Sequence, residues 1–95
     1  MTERRGKRHR LQVLYEVLVL CRGRGAFQSY VMLRCNLNTA AFRRFTGELV
    51  AAGLLGVSVV DGREWFVTSS AGREFVARFE ALTQMVTDGL YVHKS

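Results

Sequence analysis

The feature that most constrains the fold of this chain is a change of apolar period at Gly53. Before it, Phe42, Phe45 and Leu49 recur at intervals of three and four residues, which is the spacing of one face of a helix. After it, apolar residues alternate, and an Asp-Gly pair at 61–62 separates two runs rich in β-forming residues. Asp-Gly between such runs is the strongest short signal for a β-hairpin. The sequence therefore predicts a helix that ends at Gly53 and a hairpin directly after it.

Two helical patterns precede this helix. The stretch HRLQVLYEVLVLC at 9–21 is too long for a typical strand and predicts the first helix. Apolar residues cover nearly all of its circumference, which requires burial on more than one side and suggests that a second chain supplies part of the cover. The stretch SYVMLRCN at 29–36 predicts the second helix with Ser29 as its N-cap. Asn38 is placed to cap the third helix.

A last helical pattern follows the hairpin. Ser69 or Ser70 is the candidate N-cap, and the pattern ends at Gly89. Its apolar residues are spaced by 4, 3 and 4 positions, which is the heptad spacing of a helix that packs against another helix. Together with two residues of the apolar first helix, they form the predicted dimer interface, which comprises Leu14, Leu18, Phe75, Phe79, Leu82 and Val86.

The chain is basic, and its positive charge is concentrated at the N-terminus. The formal net charge is +6, and residues 1–10 carry five Lys or Arg against one Glu. This balance indicates a polyanionic partner, most often nucleic acid, although a ribosomal surface or acidic lipids would fit the same charge. Residues 1–8 have no apolar periodicity, and we expect them to form a flexible basic arm.

No arrangement of residues typical of catalysis or metal binding is found in the sequence. Cys21 and Cys35 lack the spacing of a zinc site, and His9 and His93 lie near opposite ends of the chain. No Ser or Cys has a base that the sequence supports, and no Gly-rich phosphate loop is present. We therefore expect a protein that is not an enzyme and has no metal, cofactor or small-molecule ligand. Both cysteines are expected to be buried free thiols, with a disulfide between them as an open alternative.

The longest apolar run, VLVLC within residues 11–21, is too short to cross a bilayer. The basic N-terminus is not followed by the apolar core of a cleavable signal peptide. We expect a soluble, cytoplasmic and nucleoid-associated protein that makes no contact with a membrane.

The order helix, helix, tight turn, helix and β-hairpin is the layout of a winged helix-turn-helix. The stretches SYVMLRCNLNTAAFRRFTGELVAAGLL and FVTSSAGREF resemble the small archaeal winged-helix DNA-binding proteins, and the resemblance covers about residues 11–86. The chain departs from that family at Thr46, where an apolar residue is favoured, and at Gly47, where a good helix former is usual.

The resemblance implies an α+β fold that is mostly α. Three helices and a two-stranded β-hairpin wing would form a winged helix-turn-helix domain over residues 9–69, after the flexible basic arm at 1–8. Residues 70–90 would form a C-terminal dimerisation helix that pairs antiparallel with its counterpart in a second chain, and 91–95 a tail. The predicted assembly is therefore a homodimer.

The resemblance also implies a function, namely binding of double-stranded DNA by a transcription regulator or a chromatin-associated protein. The third helix, at 39–52, would lie in the major groove, with the wing and the arm on flanking phosphates. Arginines on such a helix reach guanine edges or phosphates, and small residues beside them allow close approach. The predicted DNA-binding residues are Asn38, Thr39, Ala40, Arg43, Arg44, Arg63, Arg4, Arg5, Lys7, Arg8 and Arg10.

Two other functions fit the same pattern. A winged-helix module can bind another protein, in which case the basic face would be incidental. The domain could also bind RNA, whose deep and narrow major groove does not admit a helix, so that contacts would spread over the arm and the wing. Trp65 on the hairpin is expected to pack within the fold rather than to stack on a base.

Overall fold

The computed structural model describes residues 9–94, with side chains described as far as Gly89. The helices of this part are α1 (Arg10–Leu20), α2 (Gln28–Cys35), α3 (Thr39–Ala51) and α4 (Ser70–Lys94). The strands are β1 (Ala26–Phe27), β2 (Leu55–Val60) and β3 (Arg63–Thr68), and they form one antiparallel sheet in the order β1-β3-β2. The predicted class, mostly α with a β-hairpin wing, is confirmed.

Helix α1 is the centre of the domain, and its own chain buries its residues Val13, Leu14, Val17 and Leu18. Helices α2, α3 and α4 and strand β3 all pack against it. Leu14 is 6% exposed and Leu18 is 0% exposed. The prediction that a second chain covers α1 is therefore wrong for Leu14 and Leu18, because four elements of the same chain converge on this helix. Leu14 and Leu18 belong to the core and have no surface to offer to a dimer interface.

The turn between α2 and α3 is closed by backbone geometry that asparagine favours. Asn36, the C-cap of α2, is in the left-handed region with φ 56° and ψ 54°. The N–H of Leu37 donates to the carbonyl oxygen of Met32 at 2.9 Å, which satisfies one of the last free carbonyls of the helix. Asn38 then caps α3, since its Oδ1 accepts the N–H of Ala41 at 2.8 Å. The predicted cap of the third helix is confirmed.

Strand β1 is an element that the sequence pattern does not predict. It has only two residues, and it pairs with β3 beside the wing. Gly25 permits this pairing, because its φ is +92° and a Cβ there would lie 2.5 Å from the carbonyl oxygen of Phe66. Helix α2 starts directly after the strand, so its N-cap is Phe27, which makes no side-chain capping bond. The prediction of Ser29 as this N-cap is wrong.

The predicted hairpin is confirmed, including its turn. Strands β2 and β3 pair from Leu55 opposite Thr68 to Val60 opposite Arg63. The turn residues Asp61 and Gly62 have φ of 52° and 76°. Positive φ at both central residues defines the type I′ turn that two-residue hairpins prefer. The hairpin therefore projects from the helices as a wing.

Helix α4 is tied to the end of α3 and continues beyond its predicted end. The Oγ of Ser69 accepts the N–H of Gly72 at 3.0 Å and donates to the carbonyl oxygen of Gly53 at 2.7 Å. The helix passes Gly89, because an exposed glycine costs a helix only about 1 kcal/mol and does not break it. No helix in the described part of the chain is long and apolar enough to cross a membrane.

Both cysteines are buried and no disulfide joins them, which agrees with the prediction of buried thiols. Burial, with a smaller contribution from the neighbouring Cys35, raises the pKa of Cys21 to about 12. The thiol therefore stays protonated at neutral pH and acts as a small apolar side chain. Within the described residues, no group of three or more potential ligands could hold a metal ion.

Candidate nucleic-acid interface

Helix α3 has one buried face and one face that points into solvent. Phe42, Phe45 and Leu49 are buried in the core. The residues predicted to point outward are all exposed, and they are Thr39, Ala40, Arg43, Arg44 and Gly47. At about 100° per residue, four of these residues lie on the side of the helix opposite the core residues, and Thr39 lies on its flank. The core packing therefore fixes which side of α3 an external partner can touch.

Arg43 and Arg44 are the cations of this outward face. Neither is hydrogen-bonded or ion-paired to another residue of the described part. The guanidinium carbon of Arg44 lies 4.7 Å from the centre of the Phe45 ring, so its aliphatic stem follows the helix surface. The donors of both guanidinium groups remain available to an acceptor outside the chain. Both arginines are therefore accessible to an anionic ligand.

The two departures from the family pattern have different structural explanations. Thr46 is buried, at 6% exposure, and its Oγ1 donates to the carbonyl oxygen of Phe42 at 2.7 Å, so the polar atom is satisfied at an apolar position. Gly47 is exposed, and a Cβ there would meet no atom within 4 Å. Packing within the chain does not require this glycine. It leaves the outward face of α3 without a side chain about one turn after Arg43 and Arg44.

The wing carries a third arginine close to this face. Arg63 follows the hairpin turn, and its guanidinium carbon lies 3.8 Å from the centre of the Phe27 ring. Two adjoining recesses of about 340 and 360 Å³ connect it to α3. Gln28 and Glu64 line both recesses, Arg63 lines the first and Arg43 the second. Arg43 and Arg63 therefore line neighbouring recesses that share Gln28 and Glu64.

Trp65 packs within the fold, as predicted. Its ring meets that of Phe27 edge to face, with 4.5 Å between ring centres. Its Nε1 donates to the carbonyl oxygen of Arg24 at 2.7 Å. The indole of Trp65 therefore packs against β1 and the loop before it.

Arg10 differs from the rest of the predicted arm. It is the first residue of α1, and its Nη2 lies 2.8 Å from Oε1 of Glu48 on α3. The side chains are 59% and 36% exposed, so the pair contributes little to stability. Its effect is positional, since it holds the start of α1 against the flank of α3 and partly neutralises Arg10. The other predicted arm residues lie outside the described residues, and they are Arg4, Arg5, Lys7 and Arg8.

Phe27 and Gln28 are residues at this face that the sequence pattern does not single out. Phe27 lies under Arg63, and Gln28 lines both recesses between the wing and α3. Both owe their places to β1, which is too short to produce an alternating pattern. The only local signal for this strand is Gly25, and a single glycine does not distinguish a strand pairing from a loop.

In this fold, a tight turn joins α2 to α3, and a β-hairpin follows beside α3. This arrangement defines the winged helix-turn-helix class. The chain belongs to the winged helix-turn-helix family, whose model matches residues 7–87.

Solved structures with the same fold come from several organisms. Sso10a-2, a DNA-binding protein from Sulfolobus solfataricus, is 17% identical with a TM-score of 0.77, over 92% of this chain and 90% of that one. SSV1 F-93 is 13% identical with a TM-score of 0.63, over 87% of this chain and 94% of that one. MepR, a transcription regulator of the Staphylococcus aureus multidrug efflux pump MepA, is 17% identical with a TM-score of 0.71, over 92% of this chain and 62% of that one. No curated protein matches the sequence.

Proposed function

We propose that this protein binds double-stranded DNA as a homodimer, with α3 in the major groove and with the wing and the N-terminal segment on flanking phosphates. The observation that carries the proposal is the outward face of α3, where Arg43 and Arg44 form no side-chain hydrogen bond or ion pair with the described residues. Family membership supports it, as does the likeness of the fold to Sso10a-2 and MepR, described as a DNA-binding protein and a transcription regulator.

The residues of this face have separate proposed roles. Arg43 and Arg44 donate to guanine edges or to phosphates, and a good bidentate base contact discriminates by about 1 to 3 kcal/mol. Thr39 and Ala40 are small, so the helix can lie deep enough for contact with a thymine methyl group. Asn38 has its Oδ1 engaged by the N–H of Ala41, which leaves its amide N–H₂ as the group that can reach DNA.

The proposed biological role is that of a transcription regulator or a chromatin-associated protein. Both roles need a duplex-binding face, and they differ in whether the arginines read bases or hold phosphates. Binding to chromosomal DNA would place the protein at the nucleoid.

Duplex binding is expected to weaken steeply with salt. Two chains carry twice +6, or +12, and a protein that makes about six to ten phosphate contacts loses about 10³ to 10⁵ in affinity between 50 and 200 mM salt. Fluorescence anisotropy of a labelled DNA duplex across this range measures the slope. An RNA duplex of the same sequence is the control, because the proposed geometry needs a groove that admits α3. Equal affinity for RNA, or DNA binding indifferent to salt, would contradict the proposal.

The second half of α4 supports the homodimer. Leu82, Met85 and Val86 are 61%, 69% and 56% exposed, on a helix that continues to Lys94. The first half of the heptad pattern is used differently, since Phe75 is half-buried against the chain's own core and Phe79 is half-buried against Tyr15 of α1. The part of the predicted seam that remains for a second chain is therefore the C-terminal part.

The half-buried end of this seam is held to α1. The rings of Tyr15 and Phe79 are 4.5 Å apart, and the hydroxyl of Tyr15 donates to Oε2 of Glu80 at 2.7 Å. This hydrogen bond is the main cause of a pKa of Tyr15 above its usual value. In the proposed dimer these contacts fix the direction in which α4 leaves the domain, and hence the distance between the two copies of α3.

Leu82→Glu is expected to convert the dimer into a monomer, because it places a carboxylate in an apolar helix–helix seam where it has no partner. Sedimentation velocity across protein concentrations measures the change. Leu33→Glu is the matched control, since Leu33 is a leucine on α2 that is 76% exposed. A Leu82→Glu variant as dimeric as the control, or a wild-type protein that is monomeric throughout, would show that α4 does not mediate dimerisation.

A further inference from the structure

The position of Arg63 is set by an aromatic ring from another strand. Its guanidinium carbon lies 3.8 Å from the centre of the Phe27 ring. Carbon atoms in contact are separated by about 3.5 to 4.0 Å, so the guanidinium carbon is in van der Waals contact with the ring face, at the separation of a parallel stack. A guanidinium in this orientation keeps its N–H donors in its own plane, where they point past the edge of the ring. The donors of Arg63 are thus directed outward.

The ring beneath Arg63 is itself held in place. Strand β1 pairs with β3 so that Phe27 lies opposite Trp65, which is two residues from Arg63 and on the same face of β3. The rings of Phe27 and Trp65 meet edge to face at 4.5 Å. The Nε1 of Trp65 donates to the carbonyl oxygen of Arg24, which fixes the indole. Arg63 therefore contacts a ring whose position is fixed by the neighbouring indole of Trp65.

No carboxylate of the described residues forms an ion pair with Arg63. Glu64 lines the same recess, but no ion pair joins its carboxylate to the guanidinium of Arg63. Stacking on an aromatic face leaves the positive charge of an arginine intact and satisfies none of its hydrogen-bond donors. The arrangement is therefore suited to an anionic acceptor with two oxygens.

We propose that Phe27 is a positioning residue for DNA binding, whose ring holds Arg63 so that its guanidinium donates two N–H groups to one phosphate of the DNA backbone. The inference rests on the proposed function and assigns the wing contact to a phosphate. A free arginine side chain loses rotamer freedom when it binds, which weakens affinity by about two- to tenfold. Stacking on Phe27 restricts the side chain before DNA arrives, so that loss is avoided.

Phe27→Leu is the test, because it keeps an apolar side chain in β1 and removes the flat ring. The Kd for duplex DNA is expected to rise by about two- to tenfold, with an unchanged salt slope because the charge of Arg63 remains. Arg63→Ala is expected to weaken binding and to reduce the salt slope by about one unit. Phe27→Leu should add no further loss to Arg63→Ala, and Phe27→Tyr should retain wild-type affinity.

Tyr30→Leu is the matched control, since Arg34 lies 5.7 Å over the ring of Tyr30 on α2 and not on the wing, and its affinity should not change. The inference is overturned if Phe27→Leu binds like the wild type although Arg63→Ala does not, or if Phe27→Leu causes the same loss with and without Arg63. A wild-type protein that does not bind duplex DNA would overturn the proposed function itself, which is a separate outcome.

Discussion

Replacement of both Arg43 and Arg44 by alanine is expected to weaken duplex DNA binding by about 30- to 10⁴-fold. The estimate follows from about 1 to 3 kcal/mol for each arginine that loses a bidentate contact. Both side chains are exposed and form no hydrogen bond or ion pair with the described residues, so their removal should change the free energy of unfolding by no more than about 0.5 kcal/mol. Anisotropy titrations and thermal melts of the same samples separate the two effects.

The control for this experiment removes the same charge elsewhere. Arg22 and Arg78 are exposed and lie outside α3 and the wing, so the double variant Arg22→Ala with Arg78→Ala has the same net charge. If both double variants lose affinity equally, the charge of the whole molecule drives binding, and α3 is not the specific DNA-binding element. If the Arg43 and Arg44 variant binds like the wild type, the proposed interface is wrong.

The single variants distinguish two kinds of contact. An arginine that holds a phosphate weakens binding uniformly across sequences when it is removed, and it lowers the salt slope by about one unit. An arginine that reads guanine relaxes the preference at one base pair. Selection of duplexes from a random pool with each variant therefore separates a regulator from a general DNA-associated protein.

Leu18→Ala is expected to lower the free energy of unfolding by about 2 to 5 kcal/mol. Leu18 is 0% exposed, so its truncation removes buried methyl groups and leaves a cavity in a core that cannot fully collapse. The free energy of unfolding of a small domain is only about 5 to 15 kcal/mol, so this loss would raise the unfolded fraction substantially. Urea denaturation followed by circular dichroism measures the loss.

The comparison with an exposed leucine tests the assignment of Leu18 to the core. Leu33→Ala, at a position that is 76% exposed, should stay within about 0.5 kcal/mol of the wild type. The loss caused by Leu18→Ala should be the same at low and high protein concentration. If the stability is lost only because the dimer dissociates, Leu18 belongs to the subunit interface instead of the core.

The parts of the fold that were predicted correctly are those that neighbouring residues decide. The three- and four-residue apolar spacing of α3, its cap at Asn38 and the Asp61-Gly62 turn each depend on contacts within a few positions along the chain. The outward position of Arg43 and Arg44 follows from the same spacing, because a helix with one apolar face has its other face in solvent. This part of the candidate site could therefore be predicted from the sequence.

The incorrect predictions concern contacts between distant parts of the chain. The apolar surface of α1 is equally consistent with burial by a second chain and with burial by α2, α3, α4 and β3 of its own chain. The pairing of Arg10 with Glu48, 38 positions away, is likewise not predicted by the sequence pattern, while the contact of Arg10 with DNA stays a prediction. Neither outcome leaves a periodic signal, because periodicity records only that a face is buried and not what buries it.

The amino-acid pattern alone was enough to specify the helices, the hairpin turn and the cationic side of α3, since each is a consequence of local backbone preference and apolar spacing. Tertiary packing was needed to decide that Leu14 and Leu18 face inward, that β1 joins the wing and that Phe27 lies beneath Arg63. The physical reason is that these contacts depend on the closure of long loops. Their free energy comes from burial and stacking between distant segments. The number of residues between two segments does not show whether the segments meet in space.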